Sequence, residues 1–139
     1  MTAKSRTILC VDDDPDDQYM VLQAIKELDP SALVITAFNG VGALEYLEAA
    51  ARKGERPCLV ILDINMPVMD GKQTLVRLKK DPSLQAIPVV LFTTSSSPLD
   101  RLFGEQYRAH FVTKPVRYLE LLEKVKNLLR LCAAGDAGQ

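Results

Sequence analysis

The sequence predicts a doubly wound α/β sandwich, a five-stranded parallel sheet covered on both faces by helices. Two observations carry this expectation. Short apolar runs alternate with helical patterns along the whole chain, in strict β-α order. Most of those runs are continuously apolar rather than alternating, as strands buried on both faces require.

The strands are expected at Thr7–Val11, Leu33–Phe38, Leu59–Leu62, Val89–Thr93 and His110–Val112, all rich in Val, Ile, Leu or Phe. The helices are read from their end signals. Asp14 caps the first, Pro15 takes its first position, and Asp16 and Asp17 complement the positive end of its dipole. That helix carries Met20, Val21, Ala24, Ile25 and Leu28 at helical spacing and stops before Pro30. A second spans about Val41 to Arg52, with Gly54 placed for its C-cap. A third runs from Lys72 to about Lys80, and a short fourth begins near Pro98. The last, from about Val116 to Leu131, places Leu119, Leu122, Val125 and Leu129 on one face. Residues 7–131 are expected to form the domain, with frayed tails at 1–6 and 132–139.

Bulk properties narrow the function classes. A chain of 139 residues with 47% hydrophobic and 25% charged residues is one ordinary globular domain. Its 17 basic and 18 acidic residues leave a net charge of −1, which gives no sign of nucleic-acid or membrane binding. Cys10, Cys58 and Cys132 form no CxxC pair and are odd in number, so reduced thiols in a cytoplasmic protein are expected. The longest N-terminal apolar run, Ile8–Val11, is too short for a signal peptide or a membrane span.

In open parallel sheets, ligands sit beyond the carboxyl ends of the strands, where the strand order reverses. The first strand ends in Asp12-Asp13-Asp14, the third in Asp63, the fourth in Thr93-Thr94 and the fifth near Lys114-Pro115. With the order 2-1-3-4-5, Asp12, Asp13 and Asp63 converge. Asp14 takes the helix cap, which leaves Asp12 and Asp13 without a local structural task. Three close carboxylates need a cation to stay ionised, and an all-oxygen donor set favours a hard ion such as Mg²⁺. Mg²⁺, the Thr93 hydroxyl and the Lys114 ammonium would share the charge of a transferring phosphoryl group, with an aspartate as its acceptor.

The segments VDDDP, LDINMPVMDG, VVLFTT and TKP together resemble the receiver domain of two-component response regulators, over about residues 6 to 131. The resemblance implies a flavodoxin-like fold and a set of roles. Asp63 is similar to the phosphoacceptor. Asp12 and Asp13 resemble the acidic pair that holds Mg²⁺, and Asn65 the position whose backbone carbonyl completes the metal site. Thr93 matches the hydroxyl that follows the phosphoryl group, Lys114 the lysine that pairs with it, and Lys114–Pro115 would be cis. Phe111 takes the place of the aromatic switch residue, where tyrosine is frequent. Pro67, Asp70 and Gly71 fit the turn into the third helix. The chain departs from the pattern in having Arg108-Ala109-His110 where Gly-Ala is common before the fifth strand. The extended Lys53–Pro57 loop and the DDDPDDQ opening resemble stand-alone regulators of the bacteriophytochrome-partner type.

The implied partners are a sensor histidine kinase or a histidine phosphotransfer protein, and a downstream protein target. Tyr118, Leu121 and Leu128 exceed what one helix face buries, so a homodimer or partner surface is expected on the fourth helix, fifth strand and last helix. Three other readings are weaker. A phosphohydrolase using an aspartyl-phosphate needs an acid where Asn65 stands. A nucleotide or flavin module would meet DDDPDD at its phosphate turn and lacks GxGxxG. A degenerate receiver, binding partners without phosphorylation, would not need every one of these residues. His110, the single histidine, is read as a strand-edge imidazole rather than a phosphohistidine.

Overall fold

Strands Thr7–Val11 (β1), Leu33–Ala37 (β2), Leu59–Leu62 (β3), Val89–Thr93 (β4) and His110–Thr113 (β5) pair in parallel in the order β2-β1-β3-β4-β5. Helices Pro15–Leu28 (α1), Gly40–Lys53 (α2), Gly71–Lys80 (α3), Pro98–Gln106 (α4) and Tyr118–Ala137 (α5) connect and follow them. The computed structural model describes the backbone of residues 6–137 and the side chains of residues 6–132. The expected tails at 1–5 and 138–139 lie outside the described residues. The expected tail beyond 132 is instead helical through Ala137. Ala133 and Ala134 are strong helix formers and no proline follows to stop the helix.

Alternation along the strands builds a core on each face of the sheet. Leu9, Val11, Val60, Leu62, Val89 and Leu91 pack with Leu44 and Leu47 of α2 and Leu75 and Leu78 of α3. Ile8, Cys10, Leu59, Ile61, Val90 and Phe92 face Val21, Ala24 and Ile25 of α1 and Leu121, Val125 and Leu128 of α5. β1, β3 and β4 are buried along almost their whole length, while the edge strands β2 and β5 are partly exposed. No described helix is long and apolar enough to cross a membrane.

Three expectations are corrected. The inward stripe of α5 is Leu121, Val125, Leu128 and Cys132, flanked by Leu122 and Leu129, while Leu119 is 75% exposed. Leucines stand at both registers through Val125, so periodicity alone does not choose between them; docking against α1 does. Cys58 and Cys132 are joined by a disulfide rather than free. α5 returns to the start of β3 and brings their Cα atoms to 4.8 Å, inside the bridging range of roughly 4.4–6.8 Å. Their separation of 74 residues hides the pairing from any local spacing rule. Only Cys10 is free, and burial pushes its thiol up to about 12, which keeps it an inert packing residue. The Lys114–Pro115 bond is trans, as are all peptide bonds among the described residues; trans is the lower form of an X–Pro bond.

Candidate functional site

The sheet's register brings the polar strand ends together. Val11 pairs with Leu62, and Thr93 with Thr113, so the residues that follow β1, β3 and β5 emerge at one edge. The backbone ladder continues into them: Asp12 N–H donates to Ala37 O at 3.0 Å, Asp63 N–H to Val11 O at 2.9 Å, and Lys114 N–H to Thr93 O at 2.7 Å. The backbones of three site residues are therefore as rigid as the sheet itself.

Side chains complete the cluster. Asp12, Asp13 and Asp63 place carboxylate oxygens within 4.8 Å of one another, with Asp12 and Asp63 buried and Asp13 exposed. Asp12 Oδ1 accepts from Asp14 N–H at 2.9 Å, and Asp63 Oδ1 accepts from Ile64 N–H at 2.8 Å. The Lys114 ammonium lies 2.7 Å from Asp12 Oδ2, 2.8 Å from Asp17 Oδ2 and 3.5 Å from Asp63 Oδ2. Burial by itself lowers the pKa of Lys114, but its hydrogen bonds to Asp12 and Asp17 and the field of Asp63 outweigh that, and the value is raised. The ammonium therefore stays charged. Burial pushes the Asp12 carboxyl above its ordinary range, further than Lys114 and the Asp14 N–H pull it down. Three oxygen donors of which two are buried, under-compensated for charge and free of nitrogen or sulfur ligands, fit a hard divalent cation. Asp12, Asp13 and Asp63 would hold it.

Thr93 is fully buried at the end of β4, and its hydroxyl oxygen accepts from Ser95 N–H at 3.2 Å. That bond occupies one lone pair and leaves the hydroxyl proton free to donate. Asn65 is exposed on the loop past Asp63. That loop is shaped by close approach: at Gly71 a Cβ would collide with the carbonyl oxygen of Asp63, so only glycine lets α3 start against the site. Asp70 caps α3 through a capping box with Gln73. Phe111 on β5 is half-buried, with the Arg101 guanidinium 4.7 Å from its ring centre. His110 is exposed at the start of the same strand and stands apart from the cluster.

Two site residues escape the sequence reading. Asp17 had the task of complementing the α1 dipole, yet its carboxylate pairs with Lys114. Gln18 lies on the buried stripe of α1 with Val21, Ala24 and Ile25, and its amide nitrogen donates to Asp12 O at 2.8 Å and Ala37 O at 2.7 Å. A glutamine within an apolar helical stripe was the available signal. Its two donors tie the ends of β1 and β2 together beneath the acidic pair.

Comparison with known proteins agrees with this geometry. Residues 8–126 match the response regulator receiver domain. The chain is 38% identical to response regulator Rre1 of Synechocystis sp. over 138 residues, spanning 98% of this chain and 57% of that protein. Its fold superposes on the phosphorylated cyanobacterial phytochrome response regulator RcpA with a TM-score of 0.84 at 28% identity, covering 94% of this chain and 95% of the other. The Mn²⁺-bound form of Rcp1, a response regulator of Synechocystis sp., gives a TM-score of 0.77 at 29% identity, covering 88% and 90%. Fold, strand-end chemistry and relatives converge: the chain belongs to the response regulator receiver family, the signalling phosphoacceptors of two-component systems.

Proposed function

We propose that Asp63 accepts a phosphoryl group from a phosphohistidine, on a sensor histidine kinase or a histidine phosphotransfer protein, in a Mg²⁺-dependent reaction. The observation that carries this reading is the convergence of three carboxylates within 4.8 Å beside a charged ammonium. A bound Mg²⁺ would neutralise charge on the phosphoryl oxygens and on the acidic pocket. An Asp63 carboxylate oxygen forms the new bond to phosphorus while the phosphorus–nitrogen bond to the donor imidazole breaks. The Asn65 backbone carbonyl would complete the donor set of the metal, the Thr93 hydroxyl would donate to a phosphoryl oxygen, and Lys114 would pair with another. The likeness to the phytochrome response regulator RcpA supports a phytochrome-type kinase as donor. The phosphorylated chain acts in the cytoplasm on a protein target through α4, β5 and α5, with Phe111 as the switch residue.

Intact-mass analysis tests the acceptor. With acetyl phosphate and Mg²⁺ the protein should gain one phosphoryl group, and chelation or Asp63→Asn should abolish the gain. An added phosphoryl group on the Asp63→Asn protein overturns the assignment.

A further inference from the structure

Asp12 cannot serve two cations unchanged. One of its oxygens accepts the Asp14 N–H at 2.9 Å, and the other accepts the Lys114 ammonium at 2.7 Å. Each oxygen keeps a second acceptor direction, so a metal ion can still reach Asp12, but it comes up against the ammonium held there at 2.7 Å and repels it. The Lys114 side chain is only 11% exposed, so an ammonium displaced without a partner would be stranded where water reaches it poorly. Asp17 supplies the partner. Its carboxylate lies 2.8 Å from Lys114 Nζ, its side chain is 41% exposed, and it stands outside the group of three carboxylates able to share a metal. No other side-chain hydrogen bond engages the Asp17 carboxylate among the described residues.

We infer that Asp17 is a positioning residue that retains Lys114 when a metal ion takes Asp12. The ammonium then neither blocks the metal nor loses its compensation, and it stays beside Asp63, whose Oδ2 lies 3.5 Å from it. This inference rests on the reading of the acidic pocket as the metal site. It assigns to the first turn of α1 a role in the chemistry that its dipole-complementing charge does not require.

Removing a nearby carboxylate weakens cation binding by simple field effects as well, so the test must separate action through Lys114 from direct action. Isothermal titration with Mg²⁺ is made on the parent, Asp17→Asn, Asp17→Glu, Lys114→Gln and the Asp17→Asn/Lys114→Gln pair. Asp17→Asn should weaken Mg²⁺ binding about three- to tenfold in the parent, the scale of a lost charge-assisted bond. Asp17→Glu should recover most of that loss. In the Lys114→Gln background the same Asp17→Asn change should cost less than about twofold, because nothing remains to be held. Equal losses in both backgrounds, or no loss in the parent, overturn the inference. Asp13→Ala serves as the reference. If it weakens Mg²⁺ while Asp17→Asn does not, the positioning role alone fails; if it binds as tightly as the parent, the metal site itself is misassigned.

Discussion

In the proposed switch, Phe111 stands where a tyrosine is frequent and offers packing alone. A tyrosine there could turn inward and hydrogen-bond through its hydroxyl once Thr93 moves toward the phosphoryl group; phenylalanine has only packing. Its ring already lies half-buried against the α3 and α4 side of the core, with Arg101 over its face. The gain on turning inward is therefore smaller than the roughly 1.5–3 kcal/mol of burying a fully exposed ring. A second path leaves the same strand ends: Ser95, whose N–H meets the Thr93 hydroxyl, donates to Asp100 at 2.5 Å, and Asp100 pairs with Lys72 at the start of α3. The hydrogen bonds from Lys72 and then Ser95 hold the Asp100 carboxyl below its usual range. On the proposed reading, movement of Thr93 would reach α4 both through Phe111 and through Asp100. Phe111→Tyr should retain switching. Phe111→Ala should take phosphate normally in the intact-mass assay but lose the phosphorylation-dependent change in partner or dimer affinity. An unchanged affinity shift in Phe111→Ala means the output runs through another surface.

At the scale of elements, two helices end in the same motif with opposite residue choices. α2 closes on Gly54 at φ 70°, with Glu55 N–H reaching back to Ala50 O at 2.8 Å. α4 closes on Arg108 at φ 56°, with Ala109 N–H reaching Gly104 O at 2.8 Å. Both are left-handed C-terminal closures of the kind that favours glycine. Arginine at the second explains physically why the missing glycine before β5 matters, since a side chain in that conformation costs about 1–2 kcal/mol. Part of this cost is offset by the smaller entropy of the unfolded arginine chain. Arg108→Gly should accordingly stabilise the protein by a few tenths to about 1 kcal/mol, and Gly54→Ala should destabilise it by about 1 kcal/mol. Urea denaturation curves at unchanged slope would show both shifts; a loss of stability in Arg108→Gly refutes the strain argument. The motif at α2 was legible, because Gly54 announced it. The one at α4 was visible only as a departure from a pattern.

The side of the molecule proposed for partner contact differs from the sequence expectation. Leu121 and Leu128 are not surplus: both are buried in the core at 6% and 5% exposure. Among the described side chains of α4 and α5, the large apolar ones left uncovered are Leu99 and Leu102, one turn apart on α4, and Leu119 on α5. A homodimer or target contact on this side must therefore use those leucines. Analytical ultracentrifugation with and without beryllofluoride should show self-association that strengthens in the activated state and falls in Leu102→Glu. Leu121→Glu should unfold the protein instead, since it places a charge in the core. A monomer in both states, with target binding unaffected by Leu102→Glu, rules this surface out.

What the sequence determined by itself was everything governed by short-range pattern. The continuous apolar strands, the caps at Asp14 and Gly54, and the β-α alternation settle the architecture, and the alternation in turn assigns Asp12, Asp13, Asp63, Thr93 and Lys114 to the ends of strands. The in-register parallel ladder then makes their convergence unavoidable. Tertiary structure decided whatever depends on which faces meet. It chose Leu121 over Leu119 as a core residue, because a 3.6-residue period accepts either until α5 docks on α1. It joined Cys58 to Cys132 across 74 residues, a distance no local rule can bridge. It also turned Asp17 from a dipole complement into a partner of Lys114, because an ion pair between the start of α1 and the end of β5 exists only once the sheet has brought those ends together.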